Sequence, residues 1–380
     1  MRYRSTRSGK EAGVREVLLG GLAPDGGLYL PADWPRLPDE ARRRLAEGAT
    51  NYAEAMRILV PPFLGDALDR SAFAEVVKAG LARFRHPAIA PLSELGAGLF
   101  LLELFHGPTY SFKDYGLQPL GALAAALRGV EQGAAAGPLL ILGATSGDTG
   151  SAALAAFAGR PGVAIAILHP QGRISEVQRR QMTTIRAANV RNIALEGSFD
   201  DCQRLLKRLL ARFAAEGRAV MSVNSINWGR ILFQSVYHAR TAFRLAGLQE
   251  GGFKAVRLIV PSGNFGNAFS AILARRMGAP IAGLLLATNR NDALARAFST
   301  GRTRAGAVHR TLSPAMDIQI PSNLERFVHL AGDGDVGDTA RRMARLAEEG
   351  VLEFPHEWAQ RVPLPIRAIS VDDDETLAAI

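Results

Sequence analysis

At 380 residues the chain is too long for one small core and suits about two or three domains. A composition of 48% apolar and 21% charged residues is ordinary for a globular protein and excludes disorder as the default. The formal charge of +9 would suit a nucleic-acid partner, but the arginines are dispersed, with no long basic run and no aromatic-studded basic strand, so nucleic-acid binding is set aside. The basic start "MRYRSTRSGK" is followed by no apolar stretch and is not a secretory signal. Residues 1–90 then read as a mixed region, with the turns "APDGGLYLP" and "VPPFLGD" between helical stretches at 39–47 and 71–84. From about residue 98 the pattern changes. Apolar runs of strand length fall at 99–105, 138–142, 162–168, 190–195, 219–223, 255–260 and 281–287. Segments of helical spacing lie between them, at 114–128, 150–158, 173–188, 201–215 and 229–246. This alternation predicts an α/β chain with parallel-type sheets covered by helices.

The same residues limit the chemistry. Cys202 is the only cysteine, which excludes an intramolecular disulfide and a thiolate metal cluster. The histidines are scattered without ligand spacing, so no metal is expected. No run reaches membrane-spanning length, and a cytoplasmic protein without a membrane partner is expected. No Walker loop or GxSxG occurs, and neither of the two glycine-rich strand-to-helix joints is a GxGxxG.

Two strand-to-helix joints stand out, "PLLILGATSGDTGSAALAAFAG" and "AVRLIVPSGNFGNAFSAILARRMG". In each, small residues let backbone N–H groups converge at a helix N-terminus, a geometry suited to an anion. One such turn is as well explained by turn chemistry alone. Two, both at the C-terminal ends of expected parallel strands, favour ligand binding. The chain has few lysines, yet Lys113 stands between Phe112 and Asp114 just after a Gly-Pro turn. A partly buried lysine forms Schiff bases, and pyridoxal phosphate pairs that chemistry with a phosphate handle.

The stretch "FHGPTYSFKDYGLQPLG" resembles the cofactor-lysine motif of the bacterial and fungal threonine synthases. "MRYRSTR", "GLAPDGGLYLP", "GATSGDTGSAA", "VNSINWGRILFQ", "VPSGNFGNAFSAILARRMG", "ATNRND" and "SPAMDIQIPSNLERF" follow in that family's order, so the resemblance spans nearly the whole chain. It implies the two-lobed pyridoxal-phosphate fold type II, similar to the tryptophan synthase β chain. The implied division is an N-terminal region 1–90, a large cofactor-binding domain of 91–115 and 224–380, and a small mobile domain 116–223. Lys113 would be the Schiff-base lysine and the base at Cα and Cβ. Gly263, Asn264, Phe265, Gly266 and Asn267 would wrap the cofactor phosphate. Thr145, Ser146, Gly147 and Thr149 would receive the substrate carboxylate, and Asp148 the cofactor's phenolic oxygen. Asn224, Ser225, Asn227 and Arg230 would bind the substrate phosphate, with His106 and Thr109 at the border. The residues of "NSINWGR" equally suit a capped helix start with Trp228 in the core.

The reaction implied is conversion of O-phospho-L-homoserine and water to L-threonine and phosphate, by a monomer or homodimer. The alternatives are a threonine synthase-like phospho-lyase releasing a keto acid, and a homologue without turnover. Several positions depart from the family wording: Gly116 and Gly229 stand where a small residue such as alanine is common, and "SVYH" stands where two adjacent tyrosines are common on the substrate side. The final "VDDDETLAAI" opens a helix as the sequence stops. Family members continue to a "PHT" type segment that supplies a hydroxyl for the pyridine nitrogen, and the expectation is that a further C-terminal segment completes the fold.

Overall fold

Alternating strand and helix patterns give a mixed α/β architecture in the computed structural model, which describes residues 1–47, 50–131, 137–145, 147–197, 199–247 and 255–379. Its contacts divide into two compact units. The first comprises Met1, Gly13–Leu22 and Asn51–Tyr237; the second comprises Arg2–Ala12, Ala23–Thr50 and His238–Ile380.

In the first unit, four parallel strands lie in the order Val190–Leu195, Val163–Pro170, Leu139–Ala144 and Val220–Ser222. Parallel strands are buried on both faces, which is why these runs are apolar without strict alternation. The amphipathic helix Phe199–Ala215 covers one side, sealing Leu142, Ala144 and Leu168 beneath Cys202 and Leu206. The alanine-rich helix Asp148–Phe157 is buried over almost its whole length. Its small side chains let the helix Asp114–Glu131 approach closely. That second helix begins one residue after Lys113.

The second unit carries three parallel strands in the order Val256–Pro261, Ile281–Thr288 and Ile366–Ser370. The helix Gly266–Arg276 follows the first strand through the loop at 262–265 and is buried at Gly266 and from Ala268 to Ala274. An aromatic cluster of Phe265, Phe298, Phe327, Phe354 and Trp358 fills the core beside it. Arg7 and Thr6 from the N-terminal "YRSTR" bond to the buried Glu325 carboxylate, tying the first residues to the helix Leu324–Ala331.

Three expectations are corrected. The run at 99–105 forms no parallel strand: Leu99–Leu102 pairs antiparallel with Leu92–Gly96 in a partly exposed hairpin. Residues 1–90 hold more than turns and helices, because Arg2–Ser5, Glu11–Gly13 and Tyr29–Pro31 form a small sheet. The helix expected at 173–188 is confined to Glu176–Thr183, started by the Ser175 cap.

Candidate active site

The lysine turn is built around a buried carboxylate. Asp114 Oδ2 accepts from the Thr109 N–H at 2.8 Å and from the Thr109 hydroxyl at 3.0 Å. A Cβ on Gly107 would lie 2.5 Å from the Asp114 Cβ, so only glycine admits this approach. Burial raises the Asp114 carboxyl to about 6, although the Thr109 bonds work in the other direction. Tyr115, the next residue, donates its hydroxyl to Ile89 O at 2.6 Å and packs on Phe84, Tyr52 and Tyr237. The backbone on the C-terminal side of Lys113 is thereby fixed.

Lys113 Nζ donates to Asp148 Oδ1 at 2.5 Å. The other carboxylate oxygen accepts from the Ser111 hydroxyl at 3.4 Å, and Ser111 Oγ accepts the Lys113 backbone N–H at 3.2 Å. Burial pushes the Lys113 amine below its usual range; Asp148 opposes that shift, and the nearby Arg230 cation adds to it. A desolvated amine paired with one carboxylate is a suitable nucleophile toward an aldehyde and a suitable base.

Asp148 opens its helix after Gly147, whose φ of 156° and ψ of −91° belong to glycine alone. The Thr145 hydroxyl oxygen accepts the N–H groups of Gly147 and Gly150, both at 2.9 Å, so this side chain holds the loop in shape. Among the described residues, the N–H groups of Asp148 and Thr149 have no acceptor. Ser146 lies outside the described residues.

Arg230 stands in the first turn of the helix Trp228–Gly247, 2% exposed, and donates to Val223 O at 3.2 Å. Its Nε has no partner among the described residues. Burial lowers its pKa to about 10, against the attraction of Asp148. Asn224 is half-buried, and its Oδ1 has no partner among the described residues. Asn227 is fully buried, and its amide is committed to the fold: it donates to Leu18 O and Ser222 O and accepts the Gly229 N–H. Asn227 therefore caps this helix above the buried Trp228. Ser225 is half-buried in the turn before it. His106 pairs with Glu103 at 2.7 Å and packs against His86 and Phe105.

The second unit holds the other glycine-rich loop. Phe265, at φ 63° and ψ 1°, turns the chain into the helix. Asn267 braces the turn: Oδ1 accepts from the Ala268 N–H and the Ser262 hydroxyl, and Nδ2 donates to Pro261 O at 2.8 Å. Asn264 Oδ1 accepts from the Ser322 N–H and hydroxyl at 3.3 Å, and Asn264 O accepts the Asn323 N–H at 3.2 Å. His238 Nε2 donates to Asn267 O at 3.1 Å, and burial holds its imidazole down at about 4, hence neutral. With its side chains and carbonyls so used, the loop keeps the N–H groups of Gly263, Asn264, Phe265, Gly266 and Asn267 without an acceptor among the described residues. An unsatisfied row of N–H groups at a helix N-terminus is an anion cradle. Taken by itself, this loop fits a phosphate group, and the desolvated lysine of the first unit, taken by itself, fits an aldehyde.

A family model described as the pyridoxal-phosphate dependent enzyme matches residues 84–356, and one described as the threonine synthase N terminus matches residues 2–81. A threonine synthase of Pseudomonas aeruginosa is 44% identical, with 100% of this chain and 79% of that protein covered. The chain belongs to the threonine synthase family. The pyridoxal-phosphate-bound threonine synthase of Brucella melitensis superposes with a TM-score of 0.90 at 39% identity, covering 100% of this chain and 80% of the other. Yeast threonine synthase gives 0.89 at 33% identity, covering 100% and 78%. As a threonine synthase family member, the chain has fold type II, takes pyridoxal 5'-phosphate as cofactor and is a lyase acting on a small molecule. No helix among the described residues is long and apolar enough to cross a membrane.

Sequence reasoning missed three contributors: Ser111, His238 and the Ser322–Asn323 turn.

Proposed function

We propose that the chain converts O-phospho-L-homoserine and water to L-threonine and phosphate, with Lys113 as its catalytic residue. The observation that carries this is the desolvated Lys113 amine held by Asp148 at 2.5 Å. The Gly263–Asn267 N–H groups would hold the cofactor phosphate, and Asp148 its phenolic oxygen. When bound, pyridoxal phosphate supplies an electron sink for carbanion character at the substrate. Lys113 Nζ removes the proton at Cα and then one at Cβ. Arg230 holds the substrate phosphate as it leaves Cγ, which offsets the charge developing on the departing oxygen. The N–H groups of Asp148 and Thr149 bind the substrate carboxylate. Water then adds at Cβ, and Lys113 returns a proton to Cα and one to the former Cγ, now the methyl carbon. We further propose that 116–223 moves as a body on substrate binding, a reading supported by its possession of a complete four-stranded sheet.

Incubating purified protein with pyridoxal phosphate and the phosphoester, with Lys113→Ala alongside, tests the proposal. Threonine and phosphate in equal amounts, made only when Lys113 is present, are expected. A keto acid in place of threonine would assign the phospho-lyase reaction instead, and no product would sink the synthase reading for this chain.

A further inference from the structure

Three stretches of the sequence take no part in the chemistry described above: "YRSTR", "PDGGLYL" and "SNLERF". The second unit brings them together at Glu325, which is 4% exposed. One of its carboxylate oxygens accepts from the Thr6 hydroxyl at 2.6 Å, from Arg7 Nε at 3.0 Å and from the Leu28 N–H at 3.3 Å. The other accepts from Arg7 Nη2 at 2.7 Å, which completes a two-pronged guanidinium–carboxylate pair. Thr6 Oγ1 in turn accepts the Leu28 N–H at 2.9 Å. The double glycine makes this approach possible: a Cβ on Gly27 would lie 3.1 Å from Arg7 Cγ and closer still to Ser5 Oγ.

The neighbours of Glu325 carry this grip to the glycine-rich loop. Arg326 donates through Nε to Tyr29 O at 3.1 Å and through its guanidinium to Asn323 Oδ1. The Asn323 N–H donates to Asn264 O at 3.2 Å, and the Ser322 N–H and hydroxyl both donate to Asn264 Oδ1. Asn264 is the second residue of the N–H row that suits an anion. Hydrogen bonds joined by residues 322–326 thus run from Thr6, Arg7 and Tyr29, past the start of the helix Leu324–Ala331, to the cradle. Burying a carboxylate and a guanidinium in one helical turn is costly, and apolar side chains would serve packing alone as well. Charged partners with fixed hydrogen bonds add direction, which an anion cradle needs, because its N–H groups must converge to within about 0.5 Å.

We propose that Thr6, Arg7 and Glu325 position the Gly263–Asn267 loop for the cofactor phosphate, with Glu325 as the positioning residue on which the three segments converge. The proposal rests on the reading of that loop as the phosphate cradle, and it makes the N-terminal segment part of the cradle's support. These residues act through Ser322 and Asn323 rather than on the cofactor itself. Their effect is therefore on holding the phosphate, and not on the reaction of the aldehyde with Lys113.

The test uses the whole chain, freed of cofactor and titrated with pyridoxal phosphate or with pyridoxal, which lacks the phosphate, while the absorbance band is followed. Wild type would be compared with Arg7→Met, Arg7→Lys, Glu325→Gln and, as a control inside the cradle, Asn267→Ala. In metal sites, loss of an outer partner that orients a ligand costs about 10–100-fold in affinity, and the same order is expected here. The dissociation constant of pyridoxal phosphate should rise about tenfold or more in Arg7→Met and Glu325→Gln, with that of pyridoxal held within about twofold. Arg7→Lys, which keeps the charge but not the fork, should fall between Arg7→Met and wild type. Melting temperature reports folding, and Arg7, with its side chain 32% exposed, keeps the test open should Glu325→Gln not fold. Equal weakening of both ligands would overturn the proposal and make Glu325 a residue of the fold alone. So would unchanged pyridoxal phosphate affinity in folded Arg7→Met beside a weakened Asn267→Ala, which would leave the cradle standing without this support. Unchanged affinity in Asn267→Ala would remove the cradle reading, and the proposal with it.

Discussion

Ser111 shows how much of the lysine's behaviour depends on a neighbour that does no chemistry. Its hydroxyl accepts the Lys113 N–H and faces one oxygen of Asp148, so the other oxygen is left aimed at Lys113 Nζ. Without that hydroxyl the carboxylate is free to rotate. Ser111→Ala should therefore lower kcat several-fold with little change in KM, and shift the basic limb of the kcat pH profile; an unaltered profile would show that Asp148 needs no aiming. Asp114 permits a prediction with a definite sign. Its folded value of about 6 lies above the ordinary 3.8, so its contribution to stability is fully present below about pH 4 and is lost as pH rises through 6. Two units correspond to about 3 kcal/mol. Asp114→Asn keeps an acceptor for Thr109 and abolishes the titration. Denaturant unfolding at pH 4 and pH 7 should find the variant gaining about 2–3 kcal/mol on wild type across that interval, and equal slopes would contradict the burial argument. None of this was legible from the sequence beyond the placing of Lys113 and Asp114, since a serine two residues before a lysine carries no pattern of its own.

At the scale of an element, the joint from Val256–Pro261 to Gly266–Arg276 was readable because glycine, asparagine and serine between a strand and a helix have few uses. Its bracing was not readable, since Ser322, Asn323 and His238 come from elsewhere in the sequence and only folding brings them to the loop. His238 gives this element a pH dependence opposite to that of Asp114. A folded value near 4 against an unfolded 6.5 means that its contribution is complete above about pH 6.5 and is lost as pH falls toward 4. The full span is worth about 3 kcal/mol. His238→Gln retains an N–H for the Asn267 carbonyl and does not titrate. Between pH 7 and pH 4 wild type should lose about 2–3 kcal/mol relative to the variant, with cofactor release by wild type at the acid end seen in the absorbance band. Identical acid stability of the two proteins would show that His238 does not support the cradle. The run at 99–105 marks the converse limit: its apolar residues read as a buried strand, but Leu99 and Leu101 are exposed in a hairpin whose partner lies seven residues upstream.

For the molecule as a whole, periodicity identified the class of fold, because parallel strands covered by helices leave long apolar runs, whereas it left out the small N-terminal sheet and the strand Ile366–Ser370. Three- to five-residue strands with mixed burial have too little apolar length to stand out from loops. The cofactor is the feature that acts on the whole chain at once. A ligand that binds the native protein and not the unfolded chain stabilises by RT ln(1 + [L]/Kd), about 2.7 kcal/mol at a hundredfold excess over Kd. Saturation with pyridoxal phosphate should therefore raise the melting temperature by several degrees. Lys113→Ala keeps the Gly263–Asn267 cradle but loses the covalent bond, so its upward shift should be smaller at the same cofactor concentration. Asn267→Ala should reduce the shift by the other route, because the Asn267 amide holds Pro261, Ser262 and Ala268 in the geometry that keeps the loop N–H groups free. Scanning calorimetry of the three proteins with and without cofactor separates the two contributions: a cofactor shift in Lys113→Ala equal to that of wild type would deny the lysine its covalent role, and an undiminished shift in Asn267→Ala would deny the loop its part in holding the phosphate.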